Sequence, residues 1–172
     1  MENNFNYSLI KPDDFEILIN FIFKKNQSRS EIFSDENIKK IINENLSFKC
    51  MKTKENEKDE LIACVLLTKR EKEILIFLIN VKEEYRRKGI GSKIMTESIN
   101  NARLKYKNEK EIFFSLHVNI TNNKALNMYK KLGFVIEKYL EKFYINMIPK
   151  GKEKEIGKCY DAYEMILKLN IS

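Results

Sequence analysis

Tryptophan is absent from these 172 residues, histidine occurs once and cysteine three times, and each shortage removes a class of function. Cys50, Cys64 and Cys159 are odd in number, widely spaced and without a CxxC pair or a Cys/His pairing. They build neither a disulfide framework nor a zinc site, so no metal is expected and the thiols are read as reduced, at least two of them buried in strands. No Walker loop is present, because no Gly-Lys-Ser/Thr stands at the required offset, and a dinucleotide fingerprint would need three glycines as GxGxxG. No apolar run approaches the roughly 18 residues of a membrane span, and the amino-terminal stretch lacks the basic region, apolar core and small-residue cleavage site of a secretory signal. The chain is therefore expected in the cytoplasm, without a membrane partner.

What remains is a folded domain. Hydrophobic residues make up 43% and aromatics 11%, all Phe and Tyr, which supplies the bulky core that one domain of this length needs. The net charge is +7 and the pI about 9.1. Lysines are nevertheless spread over many segments with acidic residues among them, the pattern of a solvated surface and not of sequence-specific nucleic-acid recognition. Such a surface also steers an anionic cofactor.

Hydrophobic periodicity predicts an α/β chain. Tyr7 to Ile10 reads as a strand, and Pro12, Asp13 and Asp14 cap a helix with Phe15, Leu18, Ile19, Ile22 and Phe23 on one face, ended by the polar stretch from Lys25 to Arg29. Ser34 or Asp35 caps a second helix through Ile38, Ile41 and Ile42. Leu46 to Thr53 and Leu61 to Thr68 form a hairpin, joined by the charged turn from Lys54 to Glu60. After a turn at Arg70 to Lys72, the run Ile74 to Val81 is apolar enough for a central strand covered on both faces. A long helix then carries Ile90, Ile94, Met95, Ile99, Ala102 and Tyr106 inward. Ile112 to Val118 is the next strand, Lys124 to Leu132 the next helix with Gly133 as its C-cap, and Phe134 to Ile145 a long strand. Cys159 to Leu169 closes the sheet, after an insertion, Pro149 to Lys158, expected as a hairpin loop.

The chemistry-bearing features lie in the second half. Residues 85–92 read YRRKGIGS, between the apolar run and the long helix. A strand delivering a basic, glycine-containing turn to a helix start makes an anion site: the free N–H groups and the helix dipole favour negative charge, and Gly89 and Gly91 let a ligand approach the main chain. Pyrophosphate is the natural guest. Further on, residues 122–134 read NNKALNMYKKLGF. The first spacing resembles the signature of the GNAT acetyltransferase superfamily: Arg or Gln, two residues, Gly, one residue, Gly or Ala. The second resembles that family's later pattern at Asn122, Ala125, Tyr129, Gly133 and Phe134.

This resemblance implies a single GNAT-like domain over residues 1–172, with a mixed central sheet of about seven strands and about four helices. It also implies two central strands splayed to admit the pantetheine arm of acetyl-CoA. Cofactor contacts are then expected at Ile79, Asn80 and Val81, along the turn at Arg86, Arg87, Lys88, Gly89, Ile90, Gly91 and Ser92, and at Asn122, Ala125 and Tyr129.

Moving acetyl from a thioester to an amine requires a neutral amine, a stabilised carbonyl oxygen and a proton for the departing thiolate. An α-amine is roughly one-quarter neutral at cytosolic pH, whereas a lysine is neutral in only about one molecule in a thousand, so a protein N-terminus demands less of a base. His117, the single histidine, suits the role of proton acceptor, and its alternative is plain strand packing. Tyr129 is placed to protonate the thiolate, or else to pack its helix on the sheet. Asn122 can cap that helix, with a cofactor contact added by the resemblance.

The segment LHVNITNNKAL is similar to N-terminal acetyltransferase catalytic subunits of the E and A types, and in the E type the histidine matching His117 is catalytic. The same resemblance puts Phe33, Phe77, Phe143 and Tyr144 at the acceptor's N-terminus. Three departures stand out. Phe143 occupies a position where E-type enzymes have the first of two clasping tyrosines, Leu75 stands where they have a catalytic tyrosine, and IFSD at Ile32 to Asp35 keeps only the start of their substrate loop. The expected activity is acetylation of protein N-termini by direct attack in a ternary complex, since no cysteine falls in a motif. An auxiliary subunit or the ribosome are the further partners considered. The alternatives are a GNAT enzyme acting on lysine, a polyamine or another small amine, and a non-catalytic acyl-CoA-binding or ribosome-associated subunit.

Overall fold

The fold is described from a computed structural model, over residues 5–23, 31–53, 59–71, 73–147 and 159–171. Seven strands form one mixed sheet: β1 (Phe5–Leu9), β2 (Phe48–Lys52), β3 (Glu60–Lys69), β4 (Glu73–Val81), β5 (Glu111–Asn119), β6 (Val135–Leu140) and β7 (Ala162–Asn170). Four helices accompany them: α1 (Phe15–Ile22), α2 (Asp35–Asn43), α3 (Ile90–Lys105) and α4 (Asn123–Lys131). The strand order is β1-β2-β3-β4-β5-β7-β6, antiparallel throughout except for the β4–β5 pair. No helix among the described residues is long and apolar enough to cross a membrane.

Local signals explain most boundaries. Ser34 has extended backbone and its Oγ accepts a hydrogen bond from the Asn37 N–H at 3.3 Å, which fixes the start of α2. Gly133, at φ +93°, ends α4 in the left-handed conformation that a side chain resists. In β3 the side chains alternate between two cores. Ile62, Val65 and Leu67 join Ile90, Ile94 and Met95 of α3, while Leu61, Cys64 and Leu66 join Leu18 of α1 and Ile38 and Ile42 of α2. The strand covered on both faces is thus β3. β4 is buried only from Ile74 to Ile76 and half-buried from Phe77 onward.

One expectation at the carboxyl end is corrected. The long strand from Phe134 to Ile145 stops at Leu140, a turn with Lys142 at φ +51° follows, and Phe143–Met147 is a 3-10 helix. Asp161 anchors that turn, its carboxylate accepting from the Lys142 N–H at 2.8 Å and the Tyr139 hydroxyl at 2.5 Å. The last strand, expected over Cys159 to Leu169, runs from Ala162 to Asn170 and joins the sheet from within. β7 inserts between β5 and β6, pairing with β5 along its whole length, and β6 becomes the edge. The Pro149 to Lys158 insertion lies outside the described residues.

Candidate active site

The β4–β5 pairing lasts four rungs, from Glu73↔Phe113 to Ile76↔Leu116, although β4 runs on to Val81 and β5 to Asn119. Beyond Ile76 the two strands part. The cause can be seen on the other side of β4, where Leu66 pairs with Leu78 but Leu67 with Ile76, so Phe77 is an extra residue and forms a bulge. A bulge bends its strand and sharpens the local twist. Here it turns both Phe77 and Leu78 toward the α1–α2 face. The result is a V-shaped slot whose edges carry main-chain N–H and C=O groups outside the β4–β5 ladder. The splay expected from the resemblance therefore has a concrete origin in this chain.

The glycine turn sits at the mouth of the slot. Gly89 is the N-cap of α3 at φ +77°, a left-handed conformation in which an added Cβ would meet nothing within 4 Å. The first main-chain bond of the helix runs from the Lys93 N–H to the Gly89 carbonyl at 2.9 Å, so the N–H groups of Ile90, Gly91 and Ser92 precede the helical ladder. Arg87 is also left-handed, at φ +63°. Arg86 turns back: its Nε donates to the Val81 carbonyl at 2.9 Å and ties the turn to the end of β4. Lys88 lies over the Tyr85 ring, with Nζ 5.1 Å from the centroid, and the Tyr85 hydroxyl donates to Glu60. These orphan amides, open space at Gly89 and three basic residues fit a pyrophosphate.

Gly91 is different. A Cβ there would stand 3.2 Å from Met128 Sδ, 3.7 Å from Val81 and 3.9 Å from Ile79. Its missing side chain lets α3 pack against α4 and β4, which corrects the expectation that both glycines make room for a ligand. Ile79 and Val81 then back the turn from inside the core.

On β5, His117 shares its face of the sheet with Phe113 and Ser115, and its antiparallel partner on β7 is Glu164. The Phe143 ring stacks on the imidazole, with centroids 4.2 Å apart and planes at 25°. Burial lowers the His117 pKa below its ordinary value; Glu164 and Glu73 pull it back up, and Arg70 pushes it down. At neutral pH the ring is thus predominantly neutral and able to accept a proton. Tyr144 meets Phe143 edge-on at 5.1 Å, and burial pushes its hydroxyl up to about 12. Tyr129, 5% exposed on α4, packs against Phe134 and is also held up at about 12, by burial first and then by Tyr144. A phenol so perturbed stays protonated and acts as a donor.

The expected strand placement of Phe143 and Tyr144 is wrong, yet the 3-10 helix stacks Phe143 on His117 and sets Tyr144 edge-on against Phe143. Across the slot, Phe33 contacts Phe77 at 5.0 Å between centroids and Phe23 at 5.5 Å. Asn122 caps α4, its Oδ1 accepting from the Ala125 N–H at 3.2 Å. The Asn80 main chain hydrogen-bonds the Cys64 thiol, and burial drives that thiol up to about 12. Sequence reasoning missed Glu164, which only the β5–β7 register reveals as a neighbour of His117, and Ser115, which alternation along the predicted strand already put on the His117 face. A separate cavity of about 450 Å³, lined by Lys69, Tyr106, Lys110 and Phe113 among others, lies at the opposite end of the sheet, where β4 and β5 begin.

Residues 15–134, more than half of the chain, match the Acetyltransferase (GNAT) family. The chain belongs to that family. Its relatives include an N-alpha-acetyltransferase of Sulfurisphaera tokodaii, 41% identical over 38% of this chain and 38% of that protein. Another is a probable N-acetyltransferase, san, of Drosophila melanogaster, 39% identical over 48% and 43%. The chain thus matches less than half the length of these relatives. The GNAT fold itself extends further. A chain of the NatC complex bound to Gag peptide and CoA superposes with a TM-score of 0.73 at 20% identity, covering 96% of this chain and 99% of that one. Ard1 from Thermoplasma volcanium superposes with a TM-score of 0.70 at 21% identity, covering 96% and 97%.

Proposed function

We propose that this GNAT protein transfers the acetyl group of acetyl-CoA to the α-amine of a protein or peptide N-terminus. The observation that carries the reading is the slot itself. It opens after four rungs between Phe77 on β4 and His117 on β5, with the glycine turn at its mouth. An amide-bearing pantetheine arm can pair with the free main-chain edge as another strand would, while the pyrophosphate takes the amides of Ile90, Gly91 and Ser92. Acetyl-CoA supplies the activated acyl group as a thioester.

The residues divide the remaining work. Neutral His117 accepts the proton of the attacking amine, held in orientation by the stacked Phe143 ring. Tyr129 donates a hydrogen bond to the departing sulfur; the burial that keeps its phenol protonated also disfavours a bare thiolate nearby, so the two needs match. A covalent acyl-cysteine route through Cys50 or Cys64 is disfavoured, because burial raises both thiols, leaving little thiolate at neutral pH.

The acceptor's side of the slot is aromatic: Phe23, Phe33 and Phe77 on one wall, Phe143 and Tyr144 on the other. Such walls suit a bulky apolar first residue, whose burial contributes roughly 1.5–3 kcal/mol. The test is acetylation of a peptide library varied at the first two positions, beside a panel of polyamines and of lysine peptides with blocked N-termini. Acetylation of free N-termini with an apolar first residue is expected from the isolated chain. Turnover confined to lysine or polyamines would overturn the acceptor class, and none with any amine would favour an acyl-CoA-binding subunit.

A further inference from the structure

The 3-10 helix Phe143–Met147 bears on both residues assigned to proton transfer. Phe143 stacks on His117 with centroids 4.2 Å apart, and Tyr144 adds to the burial that raises the Tyr129 phenol. A five-residue helix of this kind has little stability of its own; its entry is closed by the Ile145 N–H on the Lys142 carbonyl at 3.0 Å. Its position is therefore set from outside.

What sets it is the segment 159–161 that leads into β7. The Asp161 carboxylate accepts from the Tyr139 hydroxyl at 2.5 Å on one side of the turn and from the Lys142 N–H at 2.8 Å on the other. Lys142 stands at φ +51°, a left-handed conformation that a side chain disfavours, and the N–H that Asp161 holds is the one belonging to that residue. Within the helix, the Tyr144 N–H donates to the Tyr160 carbonyl at 2.9 Å. The same segment is tied to the end of the His117 strand: the Ile120 N–H donates to the Asp161 carbonyl at 3.2 Å, and Asn119 Nδ2 to the Cys159 carbonyl at 2.8 Å. Residues 159–161 thus join β5, the end of β6 and the aromatic helix. The main-chain carbonyls survive substitution, whereas the Asp161 carboxylate does not.

We propose that Asp161 is a positioning residue for acetyl transfer, a latch that seats Phe143 against His117 and fixes the Phe143–Tyr144 wall on which the acceptor's first residue packs. The inference rests on the acetyltransferase reading above. It concerns the acceptor side, because the glycine turn is tied elsewhere, through Arg86 to the end of β4. The Tyr139 hydroxyl and the Lys142 N–H hold the Asp161 carboxyl below the usual carboxylate range, so the latch is charged and closed at neutral pH.

The experiment compares the full chain with Asp161→Ala, Asp161→Asn and Tyr139→Phe. It reads the NMR titration of the single imidazole, CoA affinity by calorimetry, and kcat/KM for two acetylated peptides, one with a bulky and one with a small first residue. In Asp161→Ala the turn loses both bonds, the Phe143 ring leaves the imidazole and water replaces it, so the His117 midpoint should rise. The kcat/KM for the bulky peptide should fall about tenfold and its advantage over the small one should narrow, while CoA affinity stays within about twofold. Asp161→Asn keeps an acceptor for the Lys142 N–H and should stay within about threefold of the unmodified kcat/KM. Should Asp161→Ala not fold, Tyr139→Phe decides: it removes one of the two bonds and should raise the midpoint and lower kcat/KM by about threefold. Unmodified midpoint and kcat/KM in a folded Asp161→Ala protein, or in Tyr139→Phe where that variant decides, would overturn the proposal. So would a parallel loss of CoA affinity, which marks general damage to the fold. Failure of the unmodified chain to acetylate any amine would refute the enzyme reading, an outcome separate from the imidazole titration, which needs no turnover.

Discussion

The two glycines of the turn should respond to substitution in opposite ways, because the structure gives them different reasons to lack a side chain. At Gly89 there is space for a Cβ but the backbone stands at φ +77°. Alanine held in that conformation costs about 1–2 kcal/mol, and for a chain of this size the melting temperature should fall by about 2–8 °C. If the free turn relaxes instead, the same energy appears in binding, as a CoA affinity weakened by roughly 5- to 30-fold. At Gly91 the backbone is helical and the constraint is steric: Met128 Sδ at 3.2 Å, the movable end of a flexible side chain. Alanine there gains about 0.5–1 kcal/mol of helix propensity and gives part of it back in displacing the sulfur. Stability should stay within about 1 kcal/mol, the melting temperature within about 4 °C, and CoA affinity unchanged. Valine reaches further, toward Val81 and Ile79, and should cost about 1–3 kcal/mol by overpacking. Thermal unfolding followed by circular dichroism and calorimetric titration with CoA give both quantities for each variant. A Gly91→Ala protein that melts normally but has lost CoA binding tenfold would place the ligand over that α-carbon and refute the packing account.

Four further outcomes are expected. His117→Ala should slow acetylation by about 10- to 100-fold at pH 7, with the deficit shrinking toward pH 9 as the acceptor amine loses its own proton, measured as paired pH–rate profiles on one peptide. Tyr129→Phe should lower kcat more than it changes CoA affinity, and an equal kcat would reduce Tyr129 to packing. His117 should titrate below its ordinary midpoint in the folded chain, so its contribution to stability is present above the unfolded value of about 6.5 and is lost as pH falls through the folded midpoint. In Phe143→Leu the stacked ring is gone, the imidazole gains solvent and the NMR midpoint should rise.

Most of the helices and the inner strands were legible because their apolar residues repeat with a period set by local geometry. Ser34 as a helix cap, Gly133 as a C-cap and the strand from Leu61 to Thr68 are read correctly from type and spacing alone. What failed was non-local. The strand expected through Ile145 carries apolar residues to its end, but Asp161, far along the chain, accepts from Lys142 and Tyr139 and folds the segment into a turn. The bulge at Phe77 depends on the register against Leu66 and Leu67, which the apolar run itself does not encode. At the site, His117, Tyr129 and the glycine turn were legible as residue types suited to their chemistry, whereas Glu164 gains meaning only from strand pairing.

The four-rung junction between β4 and β5 also bears on how the protein survives without its ligand. Main-chain bonding between the strands preceding α3 and those following it passes through that short seam, because every other strand pair lies within one half or the other. A molecule laid along both diverging edges fastens the halves together, and by mass action it adds about 2.7 kcal/mol at a concentration one hundred times its dissociation constant. Resistance to unfolding and proteolysis would then rise and fall with the supply of acyl-CoA, and amide exchange should slow on β4 and β5 together when CoA is added. On the proposed function, the gap between β4 and β5 would make the lifetime of the chain a reporter of the abundance of acyl-CoA.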